Sequence, residues 1–106
     1  MRVIPIVVVL GLFGPSAFAL AANQTIHQAG RVFSSEVTSV RKGEPIAFLN
    51  DDTVPHNVVS VSSGNEFDLG SQRPGTSTEV TFTKTGEVLI FCAIHPRMKM
   101  TIVVTE

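Results

Sequence analysis

Apolar and polar residues alternate with a period of two in several short stretches of this chain, and nowhere beyond residue 22 do they recur with the spacing of a helix face. Residues 77–83 are the clearest case: Val80 and Phe82 fall on one side, Glu79, Thr81 and Thr83 on the other. Residues 101–105 place Ile102 and Val104 together. Residues 88–91 form an apolar run that leads into Cys92 and puts its thiol on the face of Val88 and Ile90. A second apolar run, residues 46–49, is short enough for a buried strand and is closed by Asn50, Asp51 and Asp52. Residues 25–29 read as a short first strand broken by Gly30. Residues 32–41 read as a longer one, rich in Val, Ser and Thr but without clean alternation. Residues 62–76, rich in Ser, Gly and Asn, read as the longest irregular segment, with Phe67 and Leu69 pinning it to the core. About seven extended runs separated by turn signals predict an all-β domain, a small antiparallel β-sandwich or barrel.

Residues 1–22 follow a different pattern. A short positive start, Met1 and Arg2, precedes an apolar run over residues 3–13, a break at Gly14, Pro15 and Ser16, and the stretch Ala17-Phe18-Ala19-Leu20-Ala21-Ala22 with small residues at the possible cleavage points. That layout is a secretory signal peptide with cleavage after Ala19, Ala21 or Ala22. The run approaches the length of a bilayer span, but Gly11, Gly14, Pro15 and Ser16 in its second half favour a leader. What remains, residues 23–106, is one domain with no membrane span, expected in the periplasm or an equivalent exported space, and expected to be a monomer.

Charge and cysteine usage narrow the partners. Without Arg2 the chain carries seven Lys or Arg against nine Asp or Glu, which argues against a nucleic-acid partner. The single cysteine cannot make an internal disulfide, and an unpaired thiol in an oxidising compartment is a liability unless it is buried or bound to metal.

Cys92 is followed by His95 and Met98 at successive spacings of three, with Met100 two residues further on. An extended strand sends odd and even positions to opposite faces, so these side chains converge only if the chain leaves the sheet after Cys92 and turns tightly, which Pro96 favours. Far away in sequence, His56 follows Val54 and Pro55, a dipeptide suited to the start of a strand at a sheet edge or barrel rim. One thiolate, two imidazoles and one thioether suit a copper ion that cycles between Cu(I) and Cu(II), whereas a thioether is a poor zinc ligand. The acidic pair Asp51 and Asp52 has the composition of a general acid and base or of a hard-cation site. It reads instead as a solvated turn whose Asn and Asp side chains bond their own backbone. His27 reads as an exposed or edge-strand histidine. Cys92 with a histidine base has the rudiments of a nucleophilic enzyme, but no third orienting group or oxyanion hole accompanies it.

The runs His56-Asn57-Val58-Val59 and Phe91-Cys92-Ala93-Ile94-His95-Pro96-Arg97-Met98 make the chain resemble the cupredoxins, the plastocyanin, pseudoazurin and amicyanin family of small blue-copper proteins. The resemblance covers nearly all of the chain after the leader. It implies a Greek-key sandwich, one copper ion per chain held by His56, Cys92 and His95, export, and one-electron carriage between a donor and an acceptor redox protein rather than an enzymatic reaction. The loop is most similar to the amicyanin type, in which proline follows the histidine, and this favours Met98 as the axial ligand. Met100 fits the longer spacing of plastocyanin and pseudoazurin and stays the alternative. The resemblance also implies that the Asn57 amide hydrogen-bonds the Cys92 sulfur and that the Asn57 side chain ties the two loops together. Ala93 stands where family members often carry Thr or Ser, which leaves backbone groups to meet that side chain. Arg97, beside His95, either biases partner choice or is a solvated charge. A copper-delivery protein with no carrier role is the other reading of the same ligands.

Overall fold

Alternation decides which side of each extended run faces inward, and the computed structural model, which describes residues 22–106, shows the outcome. The leader expected over residues 1–22 lies outside the described residues except for Ala22. In chain order the strands are β1 (Gln24–Ala29), β2 (Val32–Phe33), β3 (Val37–Arg41), β4 (Pro45–Asn50), β5 (His56–Ser60), β6 (Phe67–Gln72), β7 (Ser77–Thr81), β8 (Gly86–Phe91) and β9 (Lys99–Thr105). No helix occurs among the described residues. Four strands form one sheet in the order β2-β1-β4-β7 and five form the other in the order β3-β9-β8-β5-β6. The all-β expectation holds, with a refinement: β1 with β4 and β3 with β9 pair in parallel, so both sheets are mixed.

Both sheets contribute to one core. Ile26, Phe33, Ile46 and Phe48 come from the first, Val40, Val58, Val88, Ile90, Ile102 and Val104 from the second, and Phe82 lies just beyond β7. Fully burying a side chain of this size is worth about 1.5–3 kcal/mol. Two segments differ from expectation. The single run over 32–41 is divided, because the chain leaves β2 in the first sheet at Ser34 and re-forms as β3 at the edge of the second. The missing alternation there is the trace of that crossing. The irregular segment 62–76 contains an edge strand, β6, whose Phe67 and Leu69 pack against the core as expected. With one partner strand and one face open to solvent, it tolerates Asp68, Gly70 and Ser71 in place of β-formers.

At the end of the molecule where β1, β4 and β8 finish and β5 and β9 begin, the apolar core gives way to a buried polar layer of Gln28, Asn50 and Gln72. Gln28 Nε2 donates to Gln72 Oε1 (2.7 Å), and Gln72 Nε2 donates to the carbonyl of Phe48 (3.1 Å). Asn50 Nδ2 donates to the carbonyls of Val54 (3.0 Å) and Gln72 (2.9 Å). Left unpaired, a buried amide costs about 1–3 kcal/mol, so these bonds fix the geometry of the turn over residues 51–55.

Candidate metal centre

Strand β8 ends at Phe91, opposite Lys99 of β9, and the loop between them carries the chemistry. The Met98 amide donates to the His95 carbonyl (2.8 Å), a β-turn with Pro96 at its second position, where a fixed φ and a missing donor cost nothing. The Cys92 amide donates to the Met98 carbonyl (3.0 Å) and closes the loop on itself. The chain thus leaves the sheet after Cys92 and returns His95 towards it. Cys92 is fully buried on the face of Val88 and Ile90. His56, equally buried, is the first residue of β5. Pro55 precedes that strand, so no ladder bond is lost. It stands at a rim, as expected, but β5 lies between β8 and β6 and is not an edge strand.

The fold brings three donor atoms together. Cys92 Sγ lies 3.9 Å from His56 Nδ1 and 3.8 Å from His95 Nδ1, and the two Nδ1 atoms are 3.2 Å apart. The circle through these atoms has a radius of about 2.1 Å, close to ordinary metal–nitrogen and metal–sulfur bond lengths of about 2.0–2.3 Å. His56, Cys92 and His95 could therefore hold one ion between them. Met98 and Met100 are both buried. Met100 sits directly opposite Ile90 within the β8–β9 ladder, whereas Met98 lies outside the ladder, in the loop itself.

Hydrogen bonds from outside the cluster fix Cys92 and His56. The Asn57 amide donates to Cys92 Sγ (3.4 Å), and Asn57 Oδ1 accepts from the Ala93 amide (3.3 Å), so a backbone group meets the asparagine. Asn57 Nδ2 donates to Asp68 Oδ1 (2.8 Å) and to the Gly70 carbonyl (3.0 Å). The Asp68 carboxyl is held below its ordinary pKa by hydrogen bonds from the Gly70 amide and the Asn57 side chain.

Sequence reasoning missed the partner of His56. The turn bonds expected around Asp51 and Asp52 are present: the Asp52 amide donates to Asn50 Oδ1 (2.8 Å) and the Thr53 amide to Asp52 Oδ1 (2.8 Å). Yet Asp52 is not simply solvated. Its side chain is only 13% exposed, and Oδ2 accepts from His56 Nε2 (2.8 Å) and from the Arg31 amide (3.0 Å). The hydrogen bond with His56, followed by those from the Arg31 and Thr53 amides, lowers the Asp52 pKa to about 2. The carboxylate is ionised at neutral pH and can only accept, so His56 Nε2 carries a proton, which leaves Nδ1 as the nitrogen that can hold a metal. The only signal for this in the sequence is a carboxylate four residues before the histidine. His27 is exposed, and its ring meets the Asp51 carboxylate, away from the cluster.

A family model described as copper binding proteins, plastocyanin/azurin family, matches residues 20–105. Plastocyanin of Lactuca sativa is 37% identical over an alignment of 78 residues that covers 62% of this chain and 78% of the relative. Among solved structures, a purple cupredoxin from Nitrosopumilus maritimus superposes with a TM-score of 0.70 at 22% identity, over 78% of this chain and all of that one. An oxidised amicyanin variant superposes with a TM-score of 0.70 at 20% identity, over 86% of each chain. These two likenesses concern the fold.

Proposed function

We propose that this chain, which belongs to the plastocyanin/azurin family of copper-binding proteins, is a type 1 copper protein that carries single electrons between redox proteins outside the cytoplasm. The observation that supports this most directly is the gap of about 2.1 Å radius bounded by two imidazole nitrogens and one cysteine sulfur. In this reading His56, Cys92 and His95 would hold the copper, with Met98 as the weaker fourth ligand. Copper, when bound, supplies a one-electron couple.

The protein's own groups do the rest. The Asn57 amide donates to the Cys92 sulfur and holds it in place. Asn57 Oδ1, bonded to the Ala93 amide, clamps the start of the loop to β5, so the ligands keep their positions when charge changes. The ring of His95 is half-buried where the other donors are fully buried, which makes it the short path to a partner. No reaction of the protein's own is needed, and one ion per chain in a monomer suffices. The alanines at positions 17, 19, 21 and 22, after the apolar run and its break, support export by a cleaved leader.

Reconstitution of the exported protein with Cu(II) tests this. An intense thiolate-to-copper band in the visible, lost in Cys92→Ser, together with a reversible one-electron couple, is expected. Copper bound without such a band or couple would turn the reading to copper delivery.

A further inference from the structure

His56 and His95 offer the same atom to the cluster but stand in unlike surroundings. His95 Nε2 has no hydrogen-bond partner among the described residues, whereas His56 Nε2 faces a carboxylate. We infer that Asp52 is a positioning residue that makes His56 the stronger and more anionic of the two imidazole ligands, and so lowers the reduction potential of the bound metal. The inference rests on the copper reading above and deepens it.

The carboxylate is built in. The Arg31 amide reaches Oδ2 from the tight turn between β1 and β2, where Gly30 and Arg31 both have φ of 61°. Two successive residues in the left-handed region suit a two-residue hairpin turn. A non-glycine residue there costs roughly 1–2 kcal/mol, so the turn is held by what surrounds it. From the other side the Thr53 amide occupies Oδ1. Below, Asn50 accepts from the Asp52 amide while its own amide holds the Val54 carbonyl, and Asn50 is anchored in the buried polar layer. Asp52 therefore has little freedom to leave His56, and His56, wholly buried in β5, has none to leave Asp52.

The chemical consequence follows from charge. A carboxylate accepting the Nε2 proton lends the ring imidazolate character and raises the donor strength of Nδ1. An ion of charge two gains more from that donor, and from the nearby negative charge, than an ion of charge one. Binding of the oxidised ion is strengthened relative to the reduced one. The potential falls.

Asp52→Asn tests this, because the isosteric amide, with its oxygen in the place of Oδ2, can still accept from His56 and Arg31 while it loses the charge and the bond from the Thr53 amide. Asp52→Ala removes the acceptor as well, and Asp51→Asn removes the same charge from the neighbouring position, whose carboxylate meets His27 instead. In the copper-loaded full-length mature protein, Asp52→Asn is expected to weaken Cu(II) binding about 10–100-fold, as loss of such a partner generally does, with a smaller effect on Cu(I). Each tenfold loss of preference raises a one-electron potential by about 59 mV. Asp52→Ala should shift the potential at least as far, and Asp51→Asn hardly at all. A potential unchanged in Asp52→Asn, or shifted equally by Asp51→Asn, overturns the inference even when the blue band is intact. Absence of the band and couple in the unsubstituted protein would sink the carrier reading instead. Zn(II) titration then still decides the role of Asp52: a 10–100-fold weaker affinity in Asp52→Asn supports it, and an unchanged affinity overturns it.

Discussion

Met98 and Met100 carry the same side chain two positions apart and are equally buried, so burial does not separate their roles. Position does. Met100 is locked opposite Ile90 in the ladder of β8 and β9 and continues the inward face of Ile102 and Val104. Met98 is held by two backbone bonds in the loop that also carries His95. Matched substitutions distinguish them. Met100→Leu, a volume-conserving swap in the core, should cost under about 1.5 kcal/mol in denaturant unfolding and leave the visible spectrum unchanged. Met98→Leu should retain copper and colour but raise the potential by tens of mV, on a scale where about 59 mV is a tenfold change in preference. Were the spectrum and potential to respond to Met100→Leu instead, the axial role would pass to Met100. Cys92, His95 and their spacing are legible in the sequence because one turn brings them together. The contact of Asp52 with His56 is not, because it depends on how Asn50 and Arg31 shape two other turns.

At the scale of elements, the strands with two-sided or alternating apolar content were the readable ones. Strand β6 was hidden because an edge strand needs few apolar residues. The break between β2 and β3 was hidden because both halves favour extended backbone. Yet β6 supports the site: Asp68 accepts from Asn57 Nδ2, and Asn57 clamps Cys92 and Ala93. The hydrogen bonds that lower the pKa of Asp68 below 3.8 make this support sensitive to acid. A carboxyl whose folded-state pKa is depressed contributes stability that is fully present above its unfolded value and is lost as pH falls through its folded value. Unfolding of the metal-free protein should therefore become easier as pH drops below about 3.8, and Asp52, lowered to about 2, adds in the same direction. Asp68→Asn should flatten part of that decline while reducing stability at neutral pH. Denaturant unfolding of both proteins across this range would show it, and identical slopes would remove Asp68 from the account.

For the whole molecule, the cluster joins parts of the chain that are 36 residues apart in sequence, the start of β5 and the loop after β8. A chain this small buries a limited core, so an ion bound only by the folded state would supply a substantial share of its stability. A ligand held at a hundred times its dissociation constant adds about 2.7 kcal/mol to the free energy of unfolding. For a domain of this size, each kcal/mol moves Tm by about 4–8 °C, so loading with Zn(II) or anaerobic Cu(I) at that excess should raise Tm by roughly 10–20 °C. A chelator should return it to the metal-free value. Cys92→Ser, which keeps the fold's shape but removes the thiolate, should show little of the rise. His27→Ala, outside the cluster, should show all of it. A Tm indifferent to metal in the unsubstituted protein would mean that the three donors, though gathered around one centre, do not close on an ion. A full rise in Cys92→Ser would mean that the ion binds elsewhere.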